Sequence, residues 1–310
     1  MRVDEVHLLL SYQCISECGH CFVWSSPWAE GHMSLSQLHS ALNAIREVET
    51  VKSVLFEGGE PFLFYPILLS GVREANYLKF LTCVLSNGYW ATSVENAKEF
   101  LIPIRDVGLD HLQLSSDYYH GIASEPTRVS NAIKAARQVG ISVGVSSALG
   151  FTPAECSDPK ANFGGAKRER WNVMCRGRAS TLETRVCDKQ CDSLVECPYK
   201  NLADPQGSYS LAEPGRVHWD PYGYVYVCQG LAIGNANITP LYKIINEYDP
   251  ERHPIIGPLL RGGPKALVDD FHLPHDHVYA DACHLCYDAR SRLRKEFPGL
   301  LAPAQVYGVE

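Results

Sequence analysis

The first half of the chain alternates short apolar runs with longer amphipathic segments. Runs of strand length lie at residues 6–12, 54–57, 79–85, 111–115 and 141–147. Between them, apolar residues recur at the spacing of one helix face. Strands that alternate with helices are typical of a parallel sheet with right-handed crossovers. The pattern therefore predicts an α/β fold.

Hydroxyl residues mark where two of the predicted helices begin. Ser34 and Gln37 have the spacing of a capping box before the first helix. Thr92 and Glu95 repeat that spacing before the third helix. The residues that precede position 171 are polar and irregular, so we predict the sixth strand near residues 171–175.

The pattern changes after about residue 185, where cysteine, proline and glycine become frequent. Residues 217–220 and 224–228 alternate in polarity around Pro221 and Gly223, which predicts a hairpin. A helical segment that contains residues 289–297 follows. We therefore expect a small cysteine-rich region after the alternating part of the chain.

Chemically interesting residues follow four of the predicted strands. A cysteine-containing loop follows the first strand, and Gly58-Gly59-Glu60-Pro61 follows the second. Ser86-Asn87 and Ser116-Asp117 follow the third and fourth. Parallel sheets and barrels place their ligand sites at the carboxyl ends of the strands. These groups are therefore predicted to share one edge of the sheet.

The composition excludes several classes of protein. The 310 residues are 45% hydrophobic and 20% charged, as in ordinary globular proteins, and no apolar run reaches the length of a membrane span. The net charge of −7 argues against a nucleic-acid partner. The chain shows no secretion signal, so we expect a cytoplasmic protein whose twelve cysteines include metal ligands rather than disulfides.

The cysteine loop has the order C-x3-C-x2-C, formed by Cys14, Cys18 and Cys21. Thiolate sites of this kind select zinc or iron–sulfur clusters. Three ligands leave the fourth position of a cubane cluster open, and an open iron is reactive. A structural zinc knuckle with His20 as fourth ligand is the alternative, but zinc gives no reason for the Gly-Gly-Glu-Pro sequence.

These two motifs together resemble the radical S-adenosylmethionine (radical SAM) enzymes over roughly residues 4–185. The resemblance implies a partial (βα)6 parallel barrel with a small cysteine-rich C-terminal domain. We accordingly predict a radical SAM core at 1–185 and an auxiliary-cluster domain at 186–310.

The resemblance also implies roles at the first site. Cys14, Cys18 and Cys21 would hold a 4Fe–4S cluster whose fourth iron binds SAM. Gly58, Gly59 and Glu60 would hydrogen-bond the amine of SAM. Ser86, Ser116 and Asp117 match strand-end positions that often contact its carboxylate or ribose. His20 stands where the family usually has an aromatic residue near the adenine. For the serines and the aspartate, plain turn chemistry is the alternative.

Two further residues are candidates for contact with the substrate. His120 lies on the same loop as Asp117, although a packed or solvated histidine is the alternative reading. Cys156 follows the fifth strand and is a candidate hydrogen donor to a substrate radical, with an ordinary loop cysteine as the alternative. Unchanged turnover in Cys156→Ala would remove that hypothesis.

A second set of cysteines lies beyond the predicted strands: Cys175, Cys187, Cys191, Cys197, Cys228, Cys283 and Cys286. The hairpin cysteine and the later C-x2-C resemble the auxiliary-cluster domains called SPASM and, in shorter form, twitch. That resemblance implies an auxiliary 4Fe–4S cluster on Cys197, Cys228, Cys283 and Cys286. Cys187, Cys191 and Cys175 remain alternatives for the fourth ligand or for a further metal site.

The resemblance implies reductive cleavage of SAM to a 5′-deoxyadenosyl radical, which abstracts hydrogen from a small-molecule or peptide substrate. Oxidation, epimerisation or cross-linking would follow, with a reductant such as flavodoxin or ferredoxin. Thirteen residues precede Cys14, so we expect no peptide-recognition domain before it. A non-catalytic iron–sulfur electron carrier and a zinc-stabilised binding protein are the alternatives.

Overall fold

The structure is a computed structural model of the chain, and it describes residues 1–152, 163–182, 189–199 and 209–309. The chain forms two compact units. The core unit consists of Glu5–Cys18 and Ser25–Asn172, and the C-terminal unit of Met1–Asp4, Gly19–Trp24 and Val173–Glu310. The predicted domain boundary at residue 185 stays a prediction.

Six parallel strands form the sheet of the first part of the chain, and they pair in chain order. They are β1 (Val3–Leu9), β2 (Ser53–Glu57), β3 (Leu81–Ser86), β4 (His111–Ser115), β5 (Ser142–Leu149) and β6 (Lys167–Asn172). This arrangement confirms the predicted α/β class and the parallel sheet of a partial barrel. The carboxyl ends of neighbouring strands consequently meet at one edge.

Four helices connect these strands: α1 (Leu35–Arg46), α2 (Tyr65–Tyr77), α3 (Val94–Asp106) and α4 (Pro126–Val139). Each has a buried apolar face, which in α1 consists of Leu38, Ala41, Leu42 and Ile45. The predicted capping box at Ser34 and Gln37 is confirmed, because both of its reciprocal hydrogen bonds are present.

The predicted cap of α3 is wrong by one residue. Ser93 is the N-cap, and its hydroxyl accepts a hydrogen bond from the backbone N–H of Asn96 at 3.1 Å. Thr92 instead accepts a hydrogen bond from the Asn96 side chain. Thr92 and Ser93 are both residues that favour the N-cap position, and Ser93 occupies it because its backbone has the extended conformation of an N-cap.

The sixth strand begins earlier than predicted, at Lys167 rather than near residue 171. Its residues are almost all exposed, so they carry none of the apolar signal that marks a buried strand. β6 is held instead by its parallel pairing with Gly144–Leu149 of β5. A strand whose side chains face water is stabilised by backbone pairing, and the amino-acid sequence carries no pattern that reveals such pairing.

The C-terminal unit contains short strands and helices. The strands are β7 (Lys189–Gln190), β8 (Gly215–Trp219), β9 (Tyr224–Cys228), β10 (Leu231–Asn235) and β11 (Val278–Tyr279). The predicted hairpin is confirmed, because β8 and β9 pair antiparallel and β10 extends them. β7 pairs with β11. The helices are α5 (Leu241–Asn246), α6 (Ile256–Asp270), interrupted at Gly262 and Gly263, and α7 (Ala282–Leu293).

Among the described residues, every helix is too short or too polar to traverse a lipid bilayer.

Candidate functional site

The loop that carries Cys14 lies directly against the turn after β2. The Gly59 N–H donates to the Ser11 carbonyl at 2.6 Å, and the Glu60 N–H donates to the Gln13 carbonyl at 3.0 Å. A Cβ on Gly59 would lie 2.0 Å from the Gln13 carbonyl oxygen, so a larger residue cannot occupy this position without moving the loop. The two glycines therefore set the place of the first cysteine.

Glu60 is buried and fastens the end of β2 to the end of β3. Its carboxylate accepts hydrogen bonds from the Phe62 N–H at 3.0 Å, the Ser86 hydroxyl at 2.9 Å and the Asn87 N–H at 2.9 Å. Burial raises the pKa of Glu60 from 4.5 to about 7, against the opposing effect of these donors. This geometry makes the carboxylate a link between the two strand ends.

Ser86 and Asn87 at the end of β3 have different partners: the Ser86 hydroxyl bonds to neighbouring protein groups, and the Asn87 side chain bonds to a cysteine. The Ser86 hydroxyl donates to Glu60 and accepts from the Gly88 N–H and the Trp90 indole, each at 3.0 Å. The Asn87 amide donates to the Cys14 sulfur at 3.8 Å. Asn87 was not among the predicted site residues. Hydrogen bonds to a cysteine sulfur adjust the potential of a cluster that this sulfur ligates.

Ser116 and Asp117 follow β4 and differ in their hydrogen bonds. The Ser116 hydroxyl is fully buried and has no hydrogen-bond partner among the described residues. Asp117 accepts from the Tyr119 N–H at 3.0 Å and from the Ala148 N–H at 3.0 Å. Its carboxylate therefore orders the loop after β4.

His120 pairs with Asp117 on the same loop. Its Nδ1 donates to Asp117 Oδ1 at 2.8 Å, and its side chain is mostly buried. A carboxylate that accepts a hydrogen bond from Nδ1 fixes the orientation of the imidazole ring, and Nε2 then points away from that carboxylate. Cys156, the predicted hydrogen donor, lies outside the described residues.

The remaining residues of the first cysteine motif fall in different units. Cys14 and Cys18 belong to the core unit, and His20 and Cys21 to the C-terminal unit. Within the latter, the Cys21 carbonyl accepts from the Arg178 N–H at 2.8 Å. The binding of one cluster by Cys14, Cys18 and Cys21 stays a prediction from their spacing.

The four cysteines predicted for the auxiliary cluster line a single cavity in the C-terminal unit. The cavity contains about 400 Å³ of atom-free space, part of it open to solvent. Cys228 ends β9, Cys283 and Cys286 occupy the first turns of α7, and Cys197 follows a short helical turn. Besides these cysteines, the lining consists of Arg176, Pro198, Tyr199, Leu211, Leu231, Leu259, Pro264, Ala282 and Arg290.

Two arginines reach this cavity and were not predicted. Arg176 donates to the Cys228 sulfur at 2.9 Å, and its guanidinium lies over the Phe22 ring. Arg290 is 1% exposed, donates to the Gln229 carbonyl at 2.9 Å and lines the cavity together with Cys286. Arg290 is four residues after Cys286, so a helix prediction that included the C-x2-C motif would have brought it to the same face.

The cavity fits a metal centre with thiolate ligands. Burial raises the pKa of Cys197 to about 12 and that of Cys283 well above 9. For Cys228, burial also raises the pKa, but Arg176 and Arg290 outweigh it and the net shift is downward. The described part of the lining contains no carboxylate, so thiolates are the anions there that can balance the two guanidinium groups. Metal binding deprotonates cysteines, and an all-cysteine set suits iron–sulfur clusters or zinc.

The alternative ligands lie elsewhere. Cys175 is buried, and its N–H donates to Asp281 Oδ2 at 3.1 Å, but it does not line the cavity. Cys191 is also absent from the lining, and burial raises its pKa. Cys187 lies outside the described residues. Of the cysteines considered for the fourth position, Cys197 is the described one that reaches the cavity.

The sequence is similar to a known superfamily and to a curated bacterial protein. Residues 8–153 match the radical SAM superfamily. The putative peptide biosynthesis protein YydG of Bacillus subtilis (strain 168) is 24% identical over 138 residues. That match covers 44% of this chain and 43% of YydG, so it spans less than half of either protein.

Solved structures with a distantly similar fold include BtrN in complex with AdoMet and 2-DOIA, at 14% identity and a TM-score of 0.45. That match covers 79% of this chain and 82% of BtrN. Streptococcus suis SuiB bound to precursor peptide SuiA matches at 12% identity and a TM-score of 0.45, covering 91% of this chain and 76% of SuiB.

Proposed function

We propose that this chain is a radical SAM enzyme that modifies a peptide or small molecule by abstracting hydrogen. The match of residues 8–153 to the radical SAM superfamily supports the proposal. When bound, SAM and its 4Fe–4S cluster supply a 5′-deoxyadenosyl radical by one-electron cleavage. The protein's own residues hold and orient the cofactor and exclude water from it. The three-cysteine loop fastened to the Gly-Gly-Glu turn is the observation that carries the proposal.

The core unit contributes scaffold and ligand groups to this chemistry. Gly59 and Glu60 hold the Cys14 loop through backbone hydrogen bonds. Glu60 binds Ser86 and Asn87, and Asn87 reaches the Cys14 sulfur. We assign the SAM contacts to the carbonyls of Gly58 and Gly59 and to the Ser116 hydroxyl, which has no hydrogen-bond partner among the described residues. Ser86 and Glu60 then act by positioning.

The C-terminal unit would hold an auxiliary cluster on Cys197, Cys228, Cys283 and Cys286. Their common cavity and its two arginines support this assignment. An extra cluster offers an acceptor for an electron from a substrate radical, and it therefore favours oxidation or cross-linking over a redox-neutral rearrangement. Flavodoxin or ferredoxin would be the reductant.

A peptide is the first substrate to test. The match to YydG, a protein named for peptide biosynthesis, supports that choice although it covers less than half of either chain. A small molecule is the other substrate class within the same proposal. The choice between them is made by assaying SAM-dependent mass change with peptide libraries and with small polar metabolites.

The first experiment measures iron and sulfide in anaerobically reconstituted protein. We expect about eight irons per chain in the parent, which corresponds to two 4Fe–4S clusters. About four irons should remain in Cys14→Ala/Cys18→Ala/Cys21→Ala and about four in a variant with serine at the four C-terminal cysteines. Adding SAM and dithionite to the parent should release 5′-deoxyadenosine, and the first variant should release none.

Cys83→Ala is the matched control, because Cys83 lies on β3 and belongs to neither cysteine set. It should retain the iron content and the 5′-deoxyadenosine of the parent. A parent that binds zinc rather than iron, or that releases no 5′-deoxyadenosine after full reconstitution, would refute the proposal. About four irons in the parent and none in the first variant would refute the auxiliary cluster alone.

A further inference from the structure

The two cavity arginines approach the predicted ligands from different elements. Arg176 precedes the short helical turn Gly177–Thr181 and donates to the Cys228 sulfur at 2.9 Å. Arg290 lies on α7 one turn after Cys286, and both line the same cavity. Two cationic donors thus approach the four-sulfur set independently of each other.

The surroundings of these arginines leave the sulfurs as their counter-ions. Arg290 is almost completely buried, and its other contacts are the Gln229 carbonyl and the Tyr307 ring and hydroxyl. Arg176 lies over the Phe22 ring. Among the described residues that line the cavity there is no aspartate or glutamate. A buried cation without a carboxylate is costly unless another anion is present.

Charge determines which oxidation state of a buried cluster is favoured. One-electron reduction adds a negative charge to the cluster and its four thiolates. Positive charge and N–H donors at the sulfurs stabilise the more negative state, and they do so strongly where water is excluded. Removing a guanidinium should therefore favour the oxidised state.

We propose that Arg176 and Arg290 raise the reduction potential of the auxiliary cluster, so that it accepts an electron more readily. The inference rests on the auxiliary cluster of the proposed function. The reaction concerned is the reversible transfer of one electron from an external reductant to the oxidised cluster. Both arginines act through the cluster and not on the substrate.

An EPR-monitored redox titration with dithionite tests this proposal. The full chain with Cys14→Ala/Cys18→Ala/Cys21→Ala is used, because only the auxiliary cluster then contributes a signal. Arg176→Met and Arg290→Met, each made in that background, should make reduction at least about tenfold less favourable. A tenfold change corresponds to about 59 mV for one electron, toward more negative potential.

Charge-preserving and position-matched variants serve as controls. Arg176→Lys and Arg290→Lys should keep most of the parent potential, because the positive charge remains. Arg294→Met, at the C-cap of α7, is the matched control, since Arg294 also lies over the Tyr307 ring but does not line the cavity. Its potential should equal that of the parent.

The outcomes separate this inference from the proposed function. Methionine variants with normal iron content and unchanged potential would overturn the role of the arginines and leave the auxiliary cluster intact. Absence of iron from the starting chain would overturn the auxiliary cluster and the inference with it. Should Arg290→Met fail to fold, Arg176→Met alone decides, because Arg176 precedes a short turn rather than lying within a helix.

Discussion

Two buried serine hydroxyls, at the ends of β3 and β4, have opposite hydrogen-bonding situations. The Ser86 hydroxyl makes three hydrogen bonds within the core unit. The Ser116 hydroxyl makes none with the described residues. Both occupy strand-end positions that look alike in the sequence, so only the three-dimensional contacts distinguish the bonded hydroxyl of Ser86 from that of Ser116, which we propose binds a ligand.

This difference predicts opposite effects of removing each hydroxyl. Ser86→Ala leaves the Gly88 N–H and the Trp90 indole N–H buried without an acceptor, and we expect it to lower the free energy of unfolding by about 1–3 kcal/mol. Ser116→Ala should change that free energy by less than about 0.5 kcal/mol but weaken SAM binding severalfold. Urea unfolding and calorimetric SAM titration measure the two effects. Equal stability of the two variants would contradict the assignment.

Glu60 gives stability a specific dependence on pH. Burial raises its pKa from 4.5 to about 7, so between these values the native state holds a proton that the unfolded state has lost. The free energy of unfolding should therefore decrease as pH rises through this window, by roughly 3 kcal/mol from this residue, and become flat above it.

The measurement compares urea unfolding of the parent and Glu60→Gln from pH 4.5 to 8. The glutamine cannot titrate, so the difference between the two curves should change across the window in the stated direction. Glu49→Gln, at an exposed position beyond α1, should show the slope of the parent. A slope in Glu60→Gln identical to that of the parent would mean that Glu60 does not titrate there.

Residue identity predicted which cysteines line the common cavity better than it predicted what surrounds them. Cysteine spacing indicated which thiols to group, because few residue types bind iron. Asn87, Arg176 and Arg290 were missed as site residues, since asparagine and arginine occur at many surface positions and their contacts with sulfur depend on tertiary structure. The signal that was available for Arg290 was its helical spacing from Cys286.

At the scale of elements, the turn after β2 and the loop after β1 behave as one unit. Gly59 donates its N–H to Ser11, and its Cα approaches the Gln13 carbonyl so closely that a Cβ would overlap it. Any residue larger than glycine must displace the backbone just before Cys14. The Gly-Gly sequence thus has a steric role that is separate from any contact with SAM.

We expect Gly59→Ala to lower the iron content of reconstituted protein by about four irons per chain, because Cys14 is displaced. It should also reduce the free energy of unfolding by more than about 1 kcal/mol. Gly299→Ala is the control, since no atom lies within 4 Å of the Cβ it would introduce. Full iron loading of Gly59→Ala would show that the loop adjusts without cost to the site.

Element type was predictable wherever one face is buried. The alternation of strands and helices predicted the parallel sheet, since β1 to β5 carry buried residues in a regular order. β6 was misplaced because its stability comes from pairing with β5 and not from burial. The start of α7 at the C-x2-C motif was likewise not predicted, because cysteines at metal sites do not follow an amphipathic pattern.

At the scale of the whole molecule, metal loading should contribute to folding stability. The cavity of the C-terminal unit places two cations beside four cysteines, and bound metal deprotonates these cysteines and so supplies compensating thiolates. We expect reconstitution to raise the Tm relative to chelator-treated protein. A ligand present at a hundredfold excess over its Kd contributes about 2.7 kcal/mol.

Differential scanning calorimetry under anaerobic conditions measures this effect. The variant with serine at Cys197, Cys228, Cys283 and Cys286 should gain less on reconstitution than the parent does. Cys83→Ala should gain as much as the parent. An identical Tm before and after loading of the parent would contradict a metal centre that is part of the folded structure.

The exposed sixth strand has a consequence for how the molecule behaves at high concentration. β6 is the last strand in the pairing order of the parallel sheet, and its sequence Lys-Arg-Glu-Arg-Trp-Asn is dominated by charge. Open strand edges recruit other chains into intermolecular sheets, and charged side chains on the edge oppose this. The polarity that hid β6 from sequence reasoning is therefore a protection against aggregation, and neutral substitutions along it should make the protein more prone to form fibrils or precipitate.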